Sequence, residues 1–139
     1  MKFGKVDHPE RIDFTIPPDH LDTPVVLSKN KTGAETKVFV GCAKWNRQEL
    51  KNFYPRGTKD ELAYYSTQFN SIELNATFYR IFPAEQYKKW RDKTPEGFKF
   101  FPKMTNEVSH LHRMNDKALE AADRYLEVTS LLGDKLGTI

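Results

Sequence analysis

A chain of 139 residues has room for one domain, or for one piece of a larger one, and is long enough to bury a core. Its 22 Lys and Arg are interspersed with 19 Asp and Glu, leaving a net charge of +3; the clustered basic patch of a nucleic-acid binder is missing, which argues against nucleic acid as a partner without excluding it. The single cysteine, Cys42, rules out an intrachain disulfide and a Cys-rich zinc site, and neither a signal segment nor an apolar run near the roughly 20 residues of a membrane span is present, so a soluble cytoplasmic protein is expected.

Residues 1–36 read as an extended, Pro-rich arm. Pro17, Pro18 and Pro24 argue against a long helix or a central strand, and Phe14, Ile16, Val25, Val26 and Leu27 are its apolar anchors. His8 and His20 in this arm are expected to face solvent. From residue 37 the pattern changes. KVFVG is a short apolar run ending in glycine, as in a strand buried on both faces. After a long loop, TKDELAYYSTQF predicts a helix with Thr58 as N-cap, Glu61 three residues on, and Leu62, Tyr65 and Phe69 at helical spacing. SIELN is the second strand. PAEQYKKWRDKTP predicts a helix that starts at Pro83 and stops before Pro95. GFKFFPK is the third strand. NDKALEAADRYLEVTSLLG is the clearest helix, capped by Asn115 or Asp116, with Leu119, Ala122, Leu126 and Leu132 on its apolar face and Gly133 at its end. LGTI begins a fourth strand. Strands alternating with helices imply right-handed crossovers and a parallel sheet.

Ligands of parallel sheets bind at the carboxyl ends of the strands. The first strand delivers Gly41, Cys42, Ala43, Lys44 and Trp45 there, the second Glu73, Asn75, Thr77, Phe78 and Tyr79, and the third Lys103, with His110 in the following loop. One acid, one amide, two amines, an imidazole and several aromatics therefore gather at one rim.

The segments VGCAKWN, FYPRG, YYSTQFNSIELNATFYRIFP, TPEGFKFFPK and VSH resemble the YecE-like family, the domain of unknown function numbered seventy-two. The E-x-N-x-T-F-Y run, the G-x-x-x-W start and the G-F-x-F-x-x-K strand carry the resemblance, which spans about Val38 to Ile139. It implies a TIM-like (β/α) barrel and no established activity. A complete barrel needs about 250 residues. The expectation is therefore the first half of such a barrel, a truncated product or an isolated half that forms a homodimer to cover its open face.

In a barrel, Ile72 and Leu74 would face the helices, while Glu73 and Asn75 would face inward near the rim. A buried carboxylate needs a partner, and Lys103 and Lys44 are the candidates. Glu73 reads either as half of an internal ion pair or as a general acid or base. Lys103 is its counter-ion or an anion-binding group, and His110 a proton carrier or a solvated loop histidine. Asn75 and Thr77 are candidate ligand-binding residues through their hydrogen-bonding groups, as is Lys44. Trp45, Phe78 and Tyr79 either stack on a ligand or pack the core. Cys42 lacks a local base and is not expected to be a nucleophile. No H-x-H or H-E-x-x-H spacing points to a metal, and the sequence names no cofactor. Two functions remain open: acid–base chemistry on a small polar molecule, a sugar or a phosphorylated compound, or the binding of a nucleotide or nucleic acid. An inactive fragment is the third alternative.

Overall fold

The structure is a computed structural model that describes residues 7–13, 15–29 and 35–139. These fall into two units, 1–37 and 38–139. In the first, Pro9–Arg11 forms a 3₁₀ turn and Thr23–Lys29 forms helix α1. The extended reading fails over α1 because Pro24 sits in the first helical turn, where a backbone N–H has no intrahelical partner to lose. The intended anchors Ile16, Val25, Val26 and Leu27 are all exposed. Phe14 lies outside the described residues, while His8 and His20 are exposed.

The second unit holds α2 (Glu61–Gln68), β1 (Ser71–Leu74), α3 (Ala84–Asp92), β2 (Lys99–Pro102) and α4 (Asp116–Ser130). Asp60, rather than Thr58, caps α2: its carboxylate accepts the Ala63 N–H at 3.1 Å, while the Thr58 hydroxyl donates to the Pro55 carbonyl. The Lys93 ammonium beside Asp60 holds that carboxyl below its ordinary range and keeps it a charged acceptor at the helix start.

β1 and β2 pair in parallel, with Ser71 opposite Lys99 and Glu73 opposite Phe101. Ile72, Leu74, Phe98 and Phe100 face the helices and pack with Leu62, Tyr65, Tyr87, Trp90 and Leu132 into one core. Each such side chain contributes about 1.5–3 kcal/mol on burial. Glu73 is exposed on the opposite face of the sheet.

The segment Val38–Cys42 runs alongside β1 in the same direction without forming a regular ladder. One backbone bond joins them, Glu73 N–H to the Cys42 carbonyl at 3.0 Å. The Asn70 side chain substitutes for the rest, accepting the Val40 N–H at 2.7 Å and donating to the Val38 carbonyl at 2.8 Å. Val38, Phe39 and Val40 are exposed, so the expected burial on both faces is corrected. This segment lies at an edge of the sheet. Gly41 is required by close approach: a Cβ there would stand 2.0 Å from the Ser71 carbonyl oxygen. On the far side, Leu136 bridges to Phe100 in parallel and the Gly137 N–H reaches the Phe100 carbonyl at 2.7 Å. The spatial order 38–42, β1, β2, 136–137 thus follows the chain.

Two further readings are corrected. β1 ends at Leu74, and Asn75–Phe78 is a 3₁₀ turn, so of Glu73 and Asn75, expected to share one strand face, only Glu73 is on the strand. Helix α4, capped by Asn115, buries Ala118, Ala121, Tyr125 and Thr129, while Leu119 and Leu126 are exposed. Ala118 and Ala121 pack closely on Val108, and the Tyr125 and Thr129 hydroxyls are satisfied by hydrogen bonds, so small and polar residues take the inner stripe.

Candidate functional site

Two adjoining cavities open at the carboxyl ends of β1 and β2. One, of about 520 Å³, lies on the sheet face opposite the core and is lined by Phe39, Cys42, Ser71, Glu73, Phe101 and Lys103 among others. The other, of about 400 Å³, lies at the rim and is lined by Lys44, Trp45, Glu73, Asn75 and Tyr79 among others. Glu73 belongs to both. Strand alternation places it there: with Ile72 and Leu74 in the core, Glu73 must point the other way. Among the described residues neither Glu73 nor Lys103 makes an ion pair. The expected Lys44 partnership with Glu73 is corrected, because the Lys44 ammonium lies 2.6 Å from Glu49.

The remaining candidates separate into four groups. Asn75 and Tyr79 stay at the rim, with Tyr79 70% exposed. Trp45 lines the rim cavity and packs edge-on against Trp90 at 5.8 Å, so it is both wall and core. Phe78 collects two of the others: the Lys103 ammonium lies 4.9 Å from its ring centre and the His110 ring 5.2 Å away, edge-on. Thr77 is fully buried. Its hydroxyl lies 2.6 Å from the Leu74 carbonyl and 2.8 Å from the Lys103 carbonyl, and the Tyr125 hydroxyl donates to the Lys103 carbonyl at 2.7 Å. The ligand-binding role expected of Thr77 gives way to an internal one, which anchors the backbone at Lys103.

Three residues that hold the site in place escaped the sequence reading. Tyr125 and Asn70 act as described. Tyr65 bridges strand ends from below: its hydroxyl accepts the Cys42 N–H at 2.6 Å and donates to the Ser71 carbonyl at 3.1 Å. Burial pushes the Tyr65 and Tyr125 hydroxyls up to about 12, so both remain neutral donors. An aromatic with a polar tip inside an apolar helical stripe is the one signal that could have marked the two tyrosines. Among the described residues there is no group of three or more His, Cys, Asp or Glu able to hold a metal ion, and no helix long and apolar enough to cross a membrane.

The family model described as protein of unknown function DUF72 matches residues 39–139. The chain belongs to the DUF72 family. A curated relative, UPF0759 protein YunF of Bacillus subtilis (strain 168), is 37% identical over 68 residues. That match covers 48% of this DUF72 chain and 23% of the relative, so the chain spans only part of that protein's length. The crystal structure of a DUF72 family protein from Enterococcus faecalis V583 is similar with a TM-score of 0.48 and 25% identity, over 54% of this chain and 32% of that one.

Proposed function

We propose that this chain forms part of a TIM-like parallel (β/α) barrel and that the Glu73 face of its sheet binds a small polar molecule, with Glu73 as the proton-transferring group. Strands laid side by side in chain order, all parallel, with helices packed on one face, support the barrel reading. The observation that carries the site is the position of Glu73: it is shared by both cavities at the strand ends and, among the described residues, has no cationic partner. A carboxylate serving only as a structural counter-ion would have one.

The chemistry follows from the neighbours. Glu73 accepts a proton from, or a hydrogen bond of, a substrate hydroxyl. Lys103 in the same cleft stabilises negative charge that develops on the molecule. Asn75 offers both donor and acceptor to orient hydroxyl groups, and the Trp45 and Tyr79 rings provide apolar walls of the kind a sugar ring stacks on. The test is a crystal of the protein soaked with a mixture of pentoses and hexoses. Electron density for a sugar between Glu73, Asn75 and Trp45 is the expected result. Sugar density only elsewhere, or none at high occupancy conditions, overturns the reading.

A further inference from the structure

We infer that Lys103, Ser109 and His110 form a subsite for the phosphate group of a small phosphorylated ligand, beside Glu73. The inference rests on the reading of the Glu73 cleft as a ligand site and narrows its ligand class.

Several cations of this unit have acidic partners. Lys44 is neutralised by Glu49 at 2.6 Å, Arg47 by Glu61 at 3.3 Å and Arg124 by Glu107 at 2.9 Å. Lys103 makes no ion pair among the described residues. Its ammonium is held over the Phe78 ring at 4.9 Å, and the His110 ring packs on that same ring at 5.2 Å. A ring face steadies an ammonium without neutralising it, leaving the three N–H donors free for an anion. Glu73 lines the same cleft yet does not pair with Lys103. The acid on the loop, Glu107, is engaged by Arg124.

The loop that carries His110 is shaped for presentation. Glu107–Leu111 is a π-helical turn, a rare form that is frequent at functional sites. It is followed by Arg113 at φ 47° and Met114 at φ 60°, two consecutive non-glycine residues in the left-handed region. Ser109 Oγ lies 2.8 Å from His110 Nδ1, which orients the imidazole, and Nε2 has no hydrogen-bond partner among the described residues. Ser109 and His110 are both exposed. The Lys103 ammonium, together with the one donor that the Ser109–His110 hydrogen bond leaves free (the Nε2–H or the Ser109 O–H), offers several donors, which suits a tetrahedral oxyanion better than a planar carboxylate.

The test titrates the protein with inorganic phosphate at constant ionic strength, with acetate as control, reading the NMR signals of the His110 ring and the residue-103 amide. Saturable shifts with phosphate, much weaker ones with acetate, and at least tenfold weaker phosphate binding in both Lys103→Met and His110→Gln are expected. Lys103→Arg should retain most of the affinity. The inference is overturned by an absence of saturable shifts, by wild-type affinity in either Lys103→Met or His110→Gln, or by acetate binding as well as phosphate. A neutral polyol titrated in the same series tests the Glu73 cleft alone. Polyol binding without phosphate binding sinks only the subsite, and phosphate binding without polyol binding sinks only the earlier reading.

Discussion

The hydroxyls of Thr77 and Tyr125 back each other up at a single carbonyl, and their removal should be strongly non-additive. The Lys103 carbonyl accepts from Tyr125 at 2.7 Å and lies 2.8 Å from the Thr77 hydroxyl. The Leu74 carbonyl, the other acceptor for Thr77, also receives the Lys103 N–H at 3.3 Å. Thr77→Val alone therefore leaves every carbonyl with a partner, as does Tyr125→Phe alone once the Thr77 hydroxyl turns to Lys103. Each single change should cost about 1 kcal/mol, the net value of one hydrogen bond. The double variant strips both donors from a part-buried carbonyl and adds the penalty of an orphaned acceptor, about 1–3 kcal/mol beyond the sum. Urea unfolding of the four proteins gives the cycle, provided the slopes stay equal. Additivity to within about 0.5 kcal/mol would refute the shared-acceptor arrangement.

Asn70→Asp should loosen the edge segment, since a carboxylate cannot donate to the Val38 carbonyl; faster amide exchange at Val40, with the protection of Phe100 retained, is the expected result. Gly41→Ala should be among the more destabilising changes outside the core, because a Cβ 2.0 Å from the Ser71 oxygen forces two backbones apart, and an unchanged melting temperature would show that they are not in contact. Stability should fall with alkali. Burial raises the folded-state values of Tyr54, Tyr65 and Tyr125 from 10.0 to about 12, so the folded protein holds more protons between those limits and their contribution, complete below pH 10, is lost as the pH rises through 12. Burial lowers Lys135, whose titration favours folding as pH climbs toward 10.5, so one lysine offsets only part of the decline that the three tyrosines begin near pH 10. Tyrosinate absorbance tracked with unfolding tests this, and ordinary titration of all six tyrosines near 10 would contradict it.

Periodicity located β1, β2 and the three longer helices because each carries its own pattern: Ile72 and Leu74 alternate with Glu73, and Asn115 stands as N-cap ahead of regular helical spacing, whereas the cap of α2 was read at Thr58 and lies at Asp60. What was not legible depends on partners distant in sequence. KVFVG looks like a buried strand, yet half of its pairing is done by the side chain of Asn70, thirty residues away. α4 turns Ala118 and Ala121 inward onto Val108 of the π-helical turn and leaves Leu119 exposed, whereas hydrophobicity ranks leucine above alanine. At the site, Glu73 was readable from alternation alone, whereas Thr77 was misread because nothing local shows that the strand ends at Leu74. The association of Lys103 and His110 through Phe78 joins β1's turn to β2's loop and has no signature in either.

Calorimetric titration of a bound neutral sugar or polyol into the wild-type chain and Glu73→Gln, paired with the melting temperature of each unliganded protein, tests the central claim most directly. Glu73 is exposed and, among the described residues, makes no ion pair, so the substitution should leave the melting temperature unchanged. Binding should weaken at least tenfold, the loss of about 1.4 kcal/mol expected when one charge-assisted hydrogen bond is removed. A melting temperature lowered by several degrees with unaltered sugar affinity would make Glu73 a structural group and contradict the account.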